Sequence, residues 1–377
     1  MQVSINNATG TQSSHPRHFI DFCRFQVIAP TVKLLKPPHR PQRLNNPCPM
    51  TSPSKLPSEW VVPPVQNALY ITGPTASGKT QVAIELAQRL ANHSPGAEII
   101  SVDSMAIYRG MDIGTAKPNP QARNQVPHHL IDILDPNQDY SVSQFLNDAH
   151  VKVSEIQEQG KWPLLVGGTP LYLKSLICGF FQGPPADWEF RKAVEEEVQH
   201  VGTQALHQRL KQVDPLSAHR ILPGDMRRMI RALEVVKTTG LPLSHWQTQF
   251  ERFVVPKNSH AFVLGWDRAA LHQRVEQRVE QMLDLGLVQE VKELKNRFGQ
   301  LSRTAAQAVG YKEPLAFLSG EISLQEMKAQ ITAHTRQFVR RQEIWFRSMP
   351  GIQRIHLATT DQLAAVPKTI CSALENR

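Results

Sequence analysis

The sequence predicts an α/β fold: a parallel sheet carrying a P-loop, flanked by helices, with a small all-helical insertion domain. Three observations predict it. Short apolar runs alternate with helical patterns, one run leads directly into a glycine-rich loop, and the strand pattern disappears between residues 187 and 247. We therefore divide the chain after residue 67 into a first part of the core at 68–186, a helical insertion at 187–247 and a core completion at 248–377.

The composition is that of an ordinary soluble protein and excludes several classes. Of 377 residues, 41% are hydrophobic and 20% charged. No apolar run approaches the ~18–20 residues of a membrane span. The scattered cysteines argue against a zinc site or a disulfide scaffold and fit a reducing compartment, so we expect a cytoplasmic monomer. The formal net charge of +9 favours a polyanionic partner such as nucleic acid.

Residues 1–67 differ from the rest of the chain. Proline recurs, apolar periodicity is absent, and the lysines and arginines face only Asp21 and Glu59. Such a segment cannot bury a core, so we predict a disordered extension. It is a basic organelle-targeting segment, a flexible RNA-contacting arm, or the product of a start codon placed too early. We favour the last, with Met50 as the true beginning.

The strongest functional signal is the stretch from Ala68 to Leu90. An apolar run is followed by Gly-x-x-x-x-Gly-Lys-Thr and then by an amphipathic helix, which is the context that a P-loop requires. Loop N–H groups and the helix N-terminus attract an anion, and Lys79 adds a full positive charge. A nucleotide, a free diphosphate ester and a nucleic-acid end all remain open as ligands. The expected phosphate-binding residues are Gly73, Pro74, Thr75, Ala76, Ser77, Gly78, Lys79 and Thr80.

The other elements of the first core part alternate between strands and helices. A second buried strand ends at Asp103, and a glycine-punctuated loop follows it. Pro170 opens a helix at the position where a missing N–H costs nothing. In order, we predict a strand at 98–104, a loop at 108–118, a strand at 130–134, a helix at 142–159 and a strand at 163–169.

The insertion and the second core part are predicted mainly as helices. Asp225 is a suitable N-cap and Gly240 a suitable stop for the last long helix of the insertion. We predict helices at 188–201, 204–213, 226–238, 270–297 and 323–348, a short helix opened by 214–215, and strands at 261–265 and 352–357.

Two arginine groups favour a long polyanion over a mononucleotide. In the helix at 323–348, Met327, Ile331, Phe338 and Trp345 fall on one stripe, which we expect to pack against the core. The opposite face carries Arg336, Arg340 and Arg347, with only Glu343 interrupting the run. This face is either a solvated charged surface or a phosphate-binding one. The second group, Arg227, Arg228 and Arg231, begins the helix at 226–238.

The residues near the P-loop leave the chemistry open. Asp103 is the only obvious carboxylate beside the phosphates, so it either helps to hold Mg²⁺, as in a kinase, or acts as a base; a loop or cap role is the alternative. Thr169 either caps the helix opened by Pro170 or offers its hydroxyl to a phosphate. We interpret His128–His129 as a packed or capping pair and not as a metal site.

A set of motifs, taken together, resembles one family. The chain resembles the tRNA dimethylallyltransferases, which prenylate N6 of the adenosine just 3′ of the anticodon, over about residues 68–347. It lacks the C-terminal zinc finger of the eukaryotic enzymes and so is similar to the bacterial form. The stretch at Ala106 and Ile107 departs from the family where the family varies. The motifs are Gly73–Thr80, Asp103–Ser104, Tyr108–Pro118, Pro127–Asp132, Leu165–Thr169, Gly310–Glu313 and Thr335–Arg347.

This resemblance implies roles for individual residues. Lys79, the loop amides and a Mg²⁺ ion near Thr80 would neutralise the diphosphate of dimethylallyl diphosphate as it leaves, supported by the Thr169 hydroxyl. Asp103 would accept the proton of the adenine amine. The implied contacts with the tRNA anticodon stem-loop are Asp103, Ser104, Met105, Ala106, Thr169, Arg191, Arg227, Arg228, Met229, Ile230, Arg231, Gln307, Gly310, Tyr311, Lys312, Arg336, Arg340 and Arg347.

Three other functions remain as alternatives. A P-loop small-molecule kinase would use ATP and would leave both arginine groups unexplained. An adenylate prenyltransferase would share the chemistry but act on a free nucleotide. A non-catalytic RNA-binding module would leave Asp103 at the P-loop without a purpose.

Overall fold

The computed structural model describes residues 60–92, 95–248 and 253–375, which belong to one compact unit, Ser54–Arg377. Residues 1–59 of the predicted disordered extension lie outside the described residues. The boundary at residue 67 is wrong, because residues 60–67 are part of the fold. Val65 is 1% exposed, and its backbone N–H donates to the carbonyl of Leu176 at 2.8 Å.

A six-stranded parallel sheet organises the molecule, with a two-stranded antiparallel pair (β1 and β6) beside it. The sheet order is β4-β3-β5-β2-β7-β8, so the strand that enters the P-loop, β2, lies between β5 and β7. The strands are β1 (Val61–Val62), β2 (Leu69–Thr72), β3 (Ala97–Ser101), β4 (His128–His129), β5 (Trp162–Gly167), β6 (Phe180–Phe181), β7 (His260–Trp266) and β8 (Gln353–Leu357).

The central strands are buried on both faces, as expected of a parallel sheet covered by helices. In β2, Tyr70 belongs to one hydrophobic cluster, while Leu69 and Ile71 belong to the cluster on the other face. Because β3, β5 and β2 are neighbours and parallel, their carboxyl ends bring three loops to one edge of the sheet. Those loops contain Asp103, Gly168 and the P-loop.

Fourteen α-helices and one 3₁₀ helix, Thr360–Ala365, are assigned in the described residues. The Ser141 and Ser323 side chains cap α3 and α13 through complete capping boxes. The helices are α1 (Lys79–Ala91), α2 (Pro120–Gln125), α3 (Val142–Glu158), α4 (Pro170–Cys178), α5 (Trp188–Val213), α6 (Pro215–Arg220), α7 (Met226–Thr239), α8 (Leu243–Trp246), α9 (Arg268–Asp284), α10 (Leu287–Phe298), α11 (Arg303–Ala306), α12 (Lys312–Leu318), α13 (Leu324–Arg347) and α14 (Val366–Glu375).

The stretch predicted as a helical insertion contains only helices, α5 to α8, and they share a hydrophobic cluster. Asp225 accepts a hydrogen bond from the Arg228 N–H as the N-cap of α7, and Gly240 ends that helix in the left-handed region. Phe181 of β6 and Trp60 also contact this cluster, so its packing extends beyond residues 187–247.

Two predicted elements differ from the observed ones. The strand predicted at 130–134 is instead β4, His128–His129. The helix predicted at 270–297 is two helices, α9 and α10, because Gly286 lies between them at φ 96°. The two helices predicted at 188–201 and 204–213 are confirmed: α5 consists of two helical segments that meet at Gly202, where φ is 79° and ψ is 164°. No helix in the described part of the chain is long and apolar enough to cross a membrane.

Candidate active site

The predicted strand, glycine-rich loop and helix are present, and the loop at 73–78 connects β2 to α1. Gly78 stands at the N-cap of α1 with φ 89°, a conformation that favours glycine. Side-chain N–H groups donate hydrogen bonds to carbonyl oxygens of the loop. The Arg274 Nε donates to the Ala76 oxygen at 2.7 Å, and the Trp266 indole N–H donates to the Ser77 oxygen at 3.0 Å. The Lys79 Nζ donates to the Pro74 oxygen at 2.7 Å. Carbonyl oxygens that would repel an anion are thereby neutralised.

The surroundings of Lys79 lower the pKa of its side chain. Burial, with a smaller effect from the nearby Arg278, lowers the pKa of its ammonium group to about 7, and the charge of Asp103 opposes this shift. Burial also lowers the pKa of Arg278. Two cations in a low-dielectric site repel each other, so an anion bound between them would relieve an unfavourable interaction.

Asp103 follows β3 and faces the P-loop region. Its Oδ1 accepts hydrogen bonds from the N–H groups of Met105 at 2.8 Å and Ala106 at 3.3 Å. The loop-capping role considered for Asp103 is therefore real, but it uses only this oxygen. Among the described residues, no hydrogen bond reaches the other carboxylate oxygen. The structure thus leaves one oxygen of Asp103 available for chemistry.

Thr169 stands at the N-cap position of α4, yet its side chain does not cap that helix. Its hydroxyl instead accepts a hydrogen bond from the Ser104 N–H at 3.2 Å, which joins the loop after β5 to the loop after β3. The two loops touch at Gly167 as well, where an added Cβ would lie 2.0 Å from the Val102 oxygen. Thr169 therefore fixes the loop that carries Asp103.

Two adjoining cavities lie at this edge of the sheet. One, of about 110 Å³, includes Thr75, Lys79 and Thr80 in its lining. The other, of about 310 Å³, is more apolar, with Met105, Met282 and Ile331 in its wall. The residues common to both linings are Thr75, Asp103, Thr115, Gly168, Arg278, Phe338 and Gln342.

Predicted tRNA-contacting residues converge on the larger cavity from distant parts of the chain. They come from the loop after β3, from Thr169 and from the turn before α12. Those in its lining are Asp103, Ser104, Met105, Thr169, Gln307, Gly310 and Tyr311. Ala106 lines the smaller cavity, and Lys312 is exposed beside Tyr311.

Four of the lining residues that the sequence prediction missed come from two helices. Arg278 comes from α9, and Phe338, Arg341 and Gln342 come from α13. Phe338 was predicted to pack, but it is only partly buried and lines both cavities. A polar residue among the buried positions of an amphipathic helix was the signal that could have indicated Gln342.

The loop at 108–118, whose residues Thr115 to Pro118 line the smaller cavity, is held by charged side chains. Glu290 of α10 accepts hydrogen bonds from the N–H groups of residues 112–114 and from the Tyr311 hydroxyl. Lys117, with a 1% exposed side chain, pairs with Asp132 at 2.6 Å. His129 bonds to Glu98 at 2.7 Å, which agrees with a structural role for the histidine pair.

The arginines predicted to contact RNA differ in whether their side chains are exposed or paired with a carboxylate. Arg336 pairs with Glu276 of α9, and Arg340 and Arg347 are exposed, with Glu343 3.6 Å from Arg347. In α13 the buried residues of the second half are Val339, Gln342 and Phe346. The predicted packing stripe therefore holds for Met327, Ile331 and the partly buried Trp345, which packs against the core, but not for Phe338.

In the helical unit, Arg227 and Arg228 are exposed at the start of α7. Arg191 and Arg231 both bind Glu234, whose side chain is fully buried. Two further predicted residues, Met229 and Ile230, are 0% and 3% exposed in the core of this unit, so their side chains do not reach the surface. Their predicted contact with RNA stays a prediction, and it would have to be made by the backbone.

Oxygen donors are available for a divalent cation. The Thr80 hydroxyl, the Ser101 hydroxyl and the Asp103 carboxylate line the smaller cavity, and Mg²⁺ prefers such ligands. No group of three or more His, Cys, Asp or Glu residues in the described ranges is arranged to hold a metal. The residues thus fit a Mg²⁺ ion that takes most of its ligands from phosphate and water.

Comparison with known proteins agrees with this geometry. Residues 106–349 match the family model described as IPP transferase. The chain is 44% identical over 321 residues to the tRNA dimethylallyltransferase of Rhodopirellula baltica, covering 84% of this chain and 96% of that protein. It is 45% identical over 303 residues to that of Thioalkalivibrio sulfidiphilus, covering 80% and 93%.

The chain belongs to the tRNA dimethylallyltransferase family.

Solved structures of two other proteins share the fold of this chain. The crystal structure of the full-length tRNA isopentenylpyrophosphate transferase from Bacillus halodurans aligns with a TM-score of 0.60 at 37% identity, covering 83% of this chain and 98% of that one. A eukaryotic dimethylallyltransferase acting on tRNA aligns with a TM-score of 0.68 at 26% identity, covering 82% and 78%. The predicted fold and family are therefore confirmed.

Proposed function

We propose that this enzyme transfers a dimethylallyl group from dimethylallyl diphosphate to N6 of the adenosine 3′ of the anticodon in tRNA. The observation that carries the proposal is the meeting of a P-loop and the carboxylate of Asp103 in two adjoining cavities. One cavity offers charge for a diphosphate, and the other offers apolar walls for a planar base. Family membership supports the same reaction.

The donor diphosphate would bind at the P-loop, where Lys79 and Arg278 supply positive charge. As the bond between the allylic carbon and the diphosphate oxygen breaks, negative charge accumulates on the leaving group. Fixed cations and loop amides at that place stabilise the transition state more than the ground state. A Mg²⁺ ion held by the Thr80 hydroxyl would add further charge neutralisation.

The acceptor adenine would enter the larger cavity, against Met105, Met282 and Ile331. A base must leave its stack to reach an enclosed site, and apolar walls replace part of the lost stacking. Its N6 lone pair forms the new bond to the allylic carbon while the N6 proton passes to the open oxygen of Asp103. Because that lone pair is delocalised into the ring, a positioned base helps by about 10²–10⁴-fold.

The RNA backbone would lie across the exposed arginines of two elements. Arg340 and Arg347 on α13 and Arg227 and Arg228 on α7 are open to solvent. Such exposed guanidinium groups suit phosphate contacts, which set affinity and register but not base identity. We also propose that the enzyme acts as a cytoplasmic monomer, in keeping with a tRNA substrate.

The direct test is transfer of radiolabelled dimethylallyl groups. We expect incorporation into a tRNA anticodon stem-loop with adenosine at the position 3′ of the anticodon, and none when that base is guanosine. Transfer to AMP at a comparable rate would favour an adenylate prenyltransferase. Hydrolysis of ATP at an enzyme-like rate, unaffected by tRNA, would favour a kinase or NTPase.

A further inference from the structure

A buried glutamine of α13 bridges the two loops of the proposed donor site. Gln342 is 2% exposed, although it belongs to a helix that is largely charged on its outer face. Its Oε1 accepts a hydrogen bond from the Thr75 N–H of the P-loop at 2.9 Å. Its Nε2 donates to the Gly168 oxygen, at the end of β5, at 2.6 Å.

This pairing requires a primary amide of this length. One end must accept from a backbone N–H and the other must donate to a backbone carbonyl, so the network fixes the orientation of the side chain. A carboxylate could accept from Thr75 but would face the Gly168 oxygen without a proton. An apolar residue would leave two buried backbone groups without partners.

The carboxamide also lies close to the charged end of the P-loop. A Cβ added to Gly168 would be 2.7 Å from the Gln342 Nε2, 3.2 Å from the Gly73 oxygen and 3.5 Å from the Lys79 Nζ. The Gln342 amide and the Lys79 ammonium group therefore both lie close to the position of this added Cβ. In P-loop proteins that bind nucleoside triphosphates, loop amides and this lysine contact the β- and γ-phosphates.

We infer that Gln342 limits the P-loop to two phosphates and so selects diphosphate over triphosphate esters. The inference rests on the proposed function, because it assumes that the anion binds at the P-loop. The Gln342 carboxamide occupies the space beside Lys79 and Gly168 where a third phosphate would extend. It also takes the Thr75 N–H, which would otherwise be a donor for that phosphate.

The test compares binding of inorganic diphosphate and inorganic triphosphate to the full chain by calorimetry, at fixed free Mg²⁺ and without tRNA. Triphosphate carries more negative charge, so an open basic loop would bind it at least as tightly. We expect the wild type to prefer diphosphate by about tenfold or more, the scale of one lost charge-assisted hydrogen bond. Gln342→Ala should lower this preference to about one, mainly through tighter triphosphate binding.

Two further variants separate the explanations. Gln342→Glu keeps the volume and adds a negative charge, so it should weaken both anions while diphosphate remains preferred. Gln337→Ala, at an exposed glutamine of the same helix, should leave both affinities unchanged. Equal binding of the two anions by the wild type, or an unchanged preference in Gln342→Ala, would overturn the inference. If neither anion binds the wild type, the proposed donor site itself is wrong.

Discussion

Replacing Asp103 with asparagine separates its two roles. In the Asp103→Asn variant the new carboxamide would keep an oxygen that can accept from the N–H groups of Met105 and Ala106, which lie 2.8 Å and 3.3 Å from the Asp103 Oδ1 in the wild type. The loop after β3 should therefore hold its shape. What the carboxamide cannot do is accept the proton of the adenine amine.

The expected loss in single-turnover prenyl transfer is at least about 100-fold, the lower end of general-base contributions. A second effect must be separated from this one. The negative charge of Asp103 raises the pKa of Lys79, so Asp103→Asn also reduces protonation of Lys79 near neutral pH. At pH 6 Lys79 is mostly protonated in the wild type, and the ratio of protonated Lys79 between the wild type and Asp103→Asn is closer to one than at pH 8. The difference in transfer rate that remains at pH 6 therefore measures the contribution of Asp103 as a base.

The assay is single-turnover transfer from labelled dimethylallyl diphosphate to an anticodon stem-loop at pH 6 and pH 8, with the melting temperature measured in parallel. Asp103→Ala serves as the comparison. It loses the capping oxygen as well, leaving two amides unpaired at a cost of about 1 kcal/mol or more. If Asp103→Asn transfers at nearly the wild-type rate at pH 6, Asp103 is only a loop cap and the base lies elsewhere.

Three further predictions follow from charges in the structure. Because the pKa of Lys79 is about 7 in the free site, binding of inorganic diphosphate should take up about one proton at pH 8 and fewer at pH 6. Calorimetry in buffers of different ionisation enthalpy measures this uptake. No uptake would contradict the assignment of the anion to Lys79. Replacing Arg340 and Arg347 with glutamine should reduce the slope of log affinity for tRNA against log salt by somewhat under one unit per contact, with little change in melting temperature; an unchanged slope would place the RNA elsewhere. Glu234→Gln should lower the free energy of unfolding by about 3 kcal/mol at pH 7, because it breaks a buried carboxylate–arginine cluster. Burial opposes ionisation of Glu234, but hydrogen bonds from Arg191 and Arg231 outweigh it and lower its pKa. The contribution of Glu234 is therefore complete above its unfolded pKa of about 4.3 and is lost as pH falls through the lower folded value; a difference from wild type that does not shrink as pH falls below about 4 would contradict this.

Local patterns were enough to predict the fold class and the strand, glycine-rich loop and helix at 69–91. A strand, a glycine loop and a helix in sequence specify a P-loop because each part depends on residues a few positions apart. The cap at Asp225, the stop at Gly240 and the alternation of strands and helices are local in the same way. Asp103 could be placed beside the P-loop because parallel strands of one sheet end at the same edge, and only β5 separates β3 from β2.

Only the tertiary structure decided which side chains complete the site. Gln342 lies 267 positions from Thr75, and its amide bonds to the loops at Thr75 and Gly168 only because α13 packs against both. The same holds for Arg336: the sequence shows an arginine on a basic face, while packing places Glu276 of α9 against it. A contact between residues far apart in the chain depends on how helices cross, and no short pattern records that crossing. The sequence therefore determined the elements and their chemistry, whereas the packing of α9 and α13 determined which of their polar residues line the cavities and which pair with each other.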